Sequence, residues 1–246
     1  MAELEQPLAA GAEGGREGIA REPVDAPPLA NEEPGDAEGF MLHGVVRTRG
    51  HEKALAKLAV STGEELIEHR GLGALVHSVP YRLPDWNVDR LRHHNGAVER
   101  AMRRCTILPA PYGIVFRGRE QVIGFLDNQH VALDEALSFV DGAYEVRLHV
   151  RPSARTPGAT ESELEDIAAG FYTSLRRRAR AAFTLPPRGQ GVLSAAFLVN
   201  RGEWVSFVEL IDELEAEHPE FHFDQTHWPP YDFVRMAFLP VEKPDE

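Results

Sequence analysis

The chain has 246 residues, 43% of them hydrophobic, and a formal net charge of −13. That length accommodates two small domains with real cores. The negative balance excludes a typical nucleic-acid binder, which needs clustered positive charge to displace counterions from phosphate. No run of about 18 apolar residues exists, so no segment can span a bilayer as a helix. The start lacks the basic and then apolar pattern of a secretory signal. The single cysteine, Cys105, cannot form an internal disulfide and reads as a small buried hydrophobe in a reducing cytosol.

Much of the charge is local: residues 1–39 carry ten acids and two bases, or −8 of the total. Residues 1–38 are rich in Glu, Gly, Ala and Pro and hold no aromatic residue, so they predict a disordered acidic tail. Order is expected from Phe40. Phe40 to Arg47 reads as a strand, His51 to Val60 as a short helix, and Glu65 to His69 and Ala74 to Val79 as two strands turned at Gly71 and Gly73. A polar helix follows from Asp85 to about Arg104. Ile107-Leu108-Pro109 then leads into a strand at Tyr112 to Phe116. The order βαββαβ predicts a ferredoxin-like domain over 39–118, an antiparallel sheet with helices on one face. Residues 119–140 read as a helical connector.

The remaining residues, 141–240, predict a second α+β domain. Tyr144, Val146, Leu148 and Val150 alternate with Glu145, Arg147, His149 and Arg151, the period of a half-buried strand. Thr160 with Glu163 forms a capping-box pattern, and Leu164, Ile167, Ala168, Phe171 and Leu175 share a helical face. That helix opens acidic, closes on Arg176 to Arg180 and is ended by Pro186-Pro187. Val192 to Val199 reads as a central strand and Trp204 to Leu214 as a helix. Phe221 to Thr226 and Asp232 to Leu239 read as two closing strands, giving βαβαββ.

Candidate chemistry is sparse. His93 and His94 lie in a polar helix, but His94 and Glu99 are five apart and point differently. His218, His222, Asp224 and His227 lack helical or CxxC-like ligand spacing, since Pro219 interrupts them. Ser194 stands in an apolar strand with no base nearby in sequence, and neither a Walker loop nor a dinucleotide fingerprint occurs. These patterns predict no catalytic residue, no cofactor and no metal. The most distinctive segment is Trp228-Pro229-Pro230-Tyr231-Asp232-Phe233. Its prolines fix an extended backbone between aromatic anchors, which predicts a rigid corner with Trp228, Tyr231 and Phe233 packed on the core.

Three segments together resemble the GvpL/GvpF family of gas-vesicle accessory proteins. The first is Leu42-His43-Gly44-Val45-Val46-Arg47. The second is His94-Asn95-x-x-Val98-Glu99 followed by Ile107 to Phe116. The third runs from Ala195-Ala196-Phe197-Leu198-Val199 to Trp228-Pro229-Pro230-Tyr231-Asp232-Phe233-Val234. Thr226-His227 and Tyr112 depart from the family pattern. The resemblance implies two α+β domains and a non-enzymatic assembly factor in the cytoplasm or on the gas vesicle. Its partners would be the hydrophobic shell protein and other accessory proteins, with no membrane or nucleic acid involved. Trp228, Pro229, Pro230, Tyr231 and Phe233 are the candidate structural or interaction residues. The alternative is an enzyme or ligand-binding protein on a ferredoxin-like scaffold. That function would require His94, Glu99 or the His222 group to converge in a closed pocket.

Overall fold

A computed structural model describes residues 38–55, 57, 63–81, 87–153, 160–186, 189 and 191–238. Residues 1–37 of the expected tail lie outside the described residues, as do 56 and 58–60 of the expected first helix.

The first sheet is built around β1 (Glu38–Arg47), a strand buried along most of its length. β2 (Glu65–His69) and β3 (Leu72–Pro80) form a hairpin, and β4 (Ile107–Pro109) returns beside β1. The strand order is β2-β3-β1-β4, all antiparallel. A two-residue strand, β5 (Val115–Phe116), adds to the far end of β1. The strand expected at Tyr112 to Phe116 is thus divided: Ile107–Pro109 takes the ladder position, and only Val115 and Phe116 pair beyond the turn at Gly113, whose φ is 103°.

Helices cover both faces of this sheet, a correction to the one-sided layer expected. On one face Val46, Leu75 and Ile107 pack with Leu55 and with Val98, Ala101 and Met102 of α1 (Val88–Met102). On the other, Leu42, Val45, Ile67 and Ala74 pack with Val122 and Leu126 of α2 (Arg119–Asn128) and Leu133 and Leu137 of α3 (His130–Val140). The connector is therefore a covering layer. The physical cause is visible in β1 and β3, whose consecutive buried residues leave no polar face to present to water.

The central strand is not regular. The β1–β3 register shifts between Leu42 and Gly44, leaving His43 as the extra residue of a β-bulge. The bulge is why Leu42 and Val45, three apart, face the same side. Beside it β1 and β4 approach closely: a Cβ on Gly44 would lie 2.4 Å from the Leu108 carbonyl oxygen.

The second sheet contains β6 (Ala143–Pro152), β7 (Ala181–Thr184), β8 (Leu193–Asn200) and β9 (Phe221–Trp228), in the order β7-β8-β6-β9, again antiparallel. Phe171 and Leu175 of α4 (Glu161–Arg176) and Phe207 and Ile211 of α5 (Trp204–Glu217) pack against Phe197, Phe221 and Phe223. The Thr160–Glu163 capping box forms as its pattern predicts.

The expected βαβαββ order is corrected at two places. β7 occupies residues expected in the connection after the first helix, because that helix stops at Arg176 and Arg180 turns its amide to the Leu198 carbonyl. Residues after Pro230 are not a strand. They form α6 (Tyr231–Val234) and a 3-10 turn (Arg235–Phe238). Pro230 opens that helix as a residue with a preset φ and no amide to satisfy. Val234 and Ala237, three apart, are both buried in the core cluster that also holds Leu42, Leu108, Ala143 and Leu198. The two sheets thus share one cluster of buried side chains.

Candidate docking cleft and histidine cluster

The Trp228–Phe233 segment begins as β9 leaves the sheet. Pro229 and Pro230 are buried, and the Tyr231 amide donates to the Pro229 carbonyl at 2.7 Å. Tyr231 reaches across to α1, its hydroxyl donating to Asn95 Oδ1 at 3.2 Å, and burial pushes its phenol up. The Asp232 amide donates to Glu145 Oε2 at 2.9 Å, while Arg147 bridges Glu145 at 2.6 Å and Asp232 at 2.9 Å. Phe233 packs against Phe183 and Phe139, ring centroids 4.9 and 6.5 Å away. Pro229 to Phe233 pack between α1, β6 and β7.

Trp228 departs from the core packing expected of it. Its side of the corner is exposed, at 36%, and its indole N–H donates only to Thr226 Oγ1 two residues back. The ring stands between two clefts. The larger, of about 480 Å³, is lined by Met102, Tyr144, Trp204, His227 and Pro229 with Glu99 and Arg103 at its rim. The smaller, of about 290 Å³, is lined by Leu91, Pro111, Tyr112 and Tyr231 among others. Among the described residues β9 pairs only with β6, which makes it an edge strand of the second sheet.

Of the suspected polar groups only Glu99 and His227 share a cleft, the larger one, and the rest stand elsewhere. Glu99 lines the larger cleft and His94 the smaller, while His222 lies on a separate surface where it meets Glu215 at 3.2 Å and Asp224 at 3.1 Å. His227 instead packs edge-on against Trp204. Ser194 does have a histidine neighbour, His149 Nδ1 at 2.9 Å across β6 and β8, which sequence distance concealed. The serine is buried, so the pair ties two strands and offers no nucleophile to a substrate. Cys105 is buried, its thiol pushed up to about 11 by desolvation, and so unreactive.

A second constellation joins His93 and His94 to two histidines that the sequence reading did not connect with them. His43 from the β1 bulge, His77 from β3 and His93 and His94 from α1 meet beside the first sheet. His43 Nε2 is 2.9 Å from His77 Nδ1, and His43 Nδ1 is 3.1 Å from His94 Nδ1. His94 Nε2 is 3.0 Å from the Ala110 carbonyl oxygen. Burial pulls His43 down to about 2 and His94 to about 4, and lowers His77, so these three are neutral near pH 7. One signal in the sequence pointed here: His43 is a lone polar residue within the apolar run Phe40 to Val46.

The fold and these surfaces describe a two-sheet α+β protein with an aromatic cleft at an edge strand. Comparison with known proteins supplies the family. The family model "Gas vesicle synthesis protein GvpL/GvpF" matches residues 39–158 and 153–235. The chain belongs to the GvpL/GvpF family, whose members take part in gas vesicle formation. It is 21% identical over 202 residues to gas vesicle protein F1 of Halobacterium salinarum, covering 80% of this chain and 93% of that one. It is 26% identical over 256 residues to gas vesicle protein L of a Streptomyces species, covering 81% and 94%. The crystal structure of GvpF from Anabaena superposes with a TM-score of 0.67 at 17% identity, covering 80% of this chain and 96% of that chain. GvpF from Microcystis aeruginosa gives 0.64 at 15% identity, covering 80% and 99%. No helix among the described residues is long and apolar enough to cross a membrane.

Proposed function

We propose that this protein is a non-enzymatic, chaperone-like assembly factor that holds the hydrophobic gas-vesicle shell protein before it enters the shell. The observation that carries this reading is Trp228: a large aromatic left half-exposed over a cleft walled by Met102, Tyr144, Trp204 and Pro229, at the end of the edge strand β9. A subunit that polymerises through apolar faces aggregates if those faces stay uncovered. An exposed aromatic anchor beside an unpaired strand edge suits such a face, by packing and by strand addition. Strand order 2-3-1-4 in both sheets supports a ferredoxin-like type for each half, around 39–118 and 141–240. On this reading the protein works in the cytoplasm and at the growing vesicle, with other accessory proteins as further partners.

Trp228→Ala is the test. Half-exposed, Trp228 contributes less to folding than a buried Trp, so the variant should melt within a few degrees of the parent. Its affinity for purified shell protein, or for a shell peptide in detergent, should fall by at least tenfold, since interface Trp residues cost about 2 kcal/mol or more on truncation. Unchanged binding by a folded Trp228→Ala protein would remove the cleft from the reading.

A further inference from the structure

We infer that His43, His77 and His93 form a binding site for a late first-row divalent metal ion, with Zn²⁺ the best-suited occupant. One ring nitrogen from each residue lies within 4.8 Å of the others. Tetrahedral Zn²⁺ with nitrogen ligands at about 2.0–2.1 Å requires roughly 3.3 Å between them. The His43–His77 pair, at 2.9 Å, is already near that spacing. The third ligand sits on a partly exposed ring, the 45% exposed His93.

The surroundings orient these rings as ligands. The Ala110 carbonyl can only accept, so His94 must donate to it from Nε2, and its Nδ1 then carries a lone pair. His43 must therefore donate from Nδ1 to His94, which leaves His43 Nε2 bare and aimed at His77. His94 has both nitrogens engaged. It is a positioning residue and not a ligand. In the metal-free protein the His77 Nδ1 proton fills the gap to His43. Metal takes its place: the His77 ring proton moves to Nε2 and Nδ1 supplies its lone pair. His93 has its own support, for Glu64 Oε1 lies 3.5 Å from His93 Nε2. That carboxylate is fully buried, is also held by Arg100 at 3.0 Å, and has its second oxygen, Oε2, without a hydrogen-bond partner among the described residues. A ligand histidine whose other nitrogen is fixed by a carboxylate or another acceptor is the usual outer shell of a zinc site. Three imidazoles favour Zn²⁺, Cu²⁺, Ni²⁺ or Co²⁺ over hard cations. Binding would lock α1 to β1 and β3 at the bulge.

The test uses the full chain with any affinity tag removed and metal stripped by chelator. Titration calorimetry with Zn²⁺ should show one ion per chain, and Co²⁺ should give the strong visible bands of tetrahedral coordination. At a hundredfold excess over Kd, Zn²⁺ should raise the melting midpoint by roughly 5–10 °C. His43→Ala opens a buried site and is a poor test by itself, so the informative variants are His77→Ala and His93→Ala. Each should keep the fold and lose binding by at least a hundredfold. Glu64→Gln should weaken it by about 10–100-fold, and His222→Ala should leave it unchanged. The inference is overturned if the parent binds no Zn²⁺ at micromolar concentration. It is equally overturned if binding survives in His77→Ala and His93→Ala or is lost in His222→Ala.

Discussion

Glu145 is a carboxyl in an unfavourable electrostatic position. It is fully buried, and desolvation followed by the nearby Asp232 carboxylate pushes it up to about 7 from 4.5. Arg147 and the Asp232 amide pull the other way but do not prevail. A carboxyl raised in the folded state stabilises the fold fully below its unfolded value, and that stability is lost as pH rises through the folded value. Relative to Glu145→Gln, which keeps the acceptor for the Asp232 amide, the parent should therefore lose roughly 3 kcal/mol between pH 4.5 and 7, at about 1.4 kcal/mol per unit. Urea midpoints of the two proteins across that range measure the difference. A gap that stayed constant or moved the other way would mean that Arg147 keeps Glu145 ionised throughout. At this scale the sequence showed less than the fold contains. The alternation of Glu145 and Arg147 with apolar neighbours marks a strand with one polar face, but it reads that face as solvated. Asp232 covers its Glu145–Arg147 end instead, and nothing local to β6 announces a cover arriving from the far end of the chain.

Elements were legible where their pattern is local. β2 matches its expected bounds, β6 follows its period-two alternation, and α4 begins at its capping box. Replacing Thr160 by Ala should cost about 1 kcal/mol, the usual loss at an N-cap, read as a small drop in urea midpoint without a change in slope. Patterns that depend on distant neighbours failed. β7 is four residues long, and its place is fixed by pairing with Ala195 to Leu198. The bulge at His43 leaves no mark in sequence, yet it decides which side chains of β1 face α1. Gly44 beside it is a sharper test of the same region. Its absent side chain lets β1 and β4 meet, and a methyl there would sit 2.8 Å from Ile107 Cδ1 as well as 2.4 Å from backbone. Backbone cannot yield cheaply, so Gly44→Ala should destabilise by several kcal/mol, more than the typical 1–3 kcal/mol of core overpacking. A midpoint within a degree of the parent would show that the two strands separate freely.

For the whole molecule the question is whether the two sheets unfold together. Val234 and Ala237 sit in the same buried cluster as Leu42 and Leu108 of the first sheet and Leu198 of the second. Tyr231 holds α1, Asp232 holds β6, and Phe233 packs edge-on against Phe183 of β7. The repeated strand order in the two halves makes each look self-sufficient, but the helix after Pro230 is a wedge packed against both. Val234 is 1% exposed, so Val234→Ala removes two buried methyl groups at a cost of roughly 2 kcal/mol. If the wedge couples the sheets, that loss is shared: amide exchange from the globally opening strands should accelerate by a similar factor, on the order of thirtyfold, in β1 and in β8. Acceleration confined to β8 would mean that the second sheet opens alone and that the shared cluster is contact without coupling. The same measurement bears on the proposed docking cleft. Its walls come from α1, through Met102, and from the second half, through Tyr144, Trp204 and Trp228. A cleft built across both halves keeps its shape only while they hold together, so a mutation at Val234 that uncouples them should also weaken binding of the shell protein without touching the cleft itself.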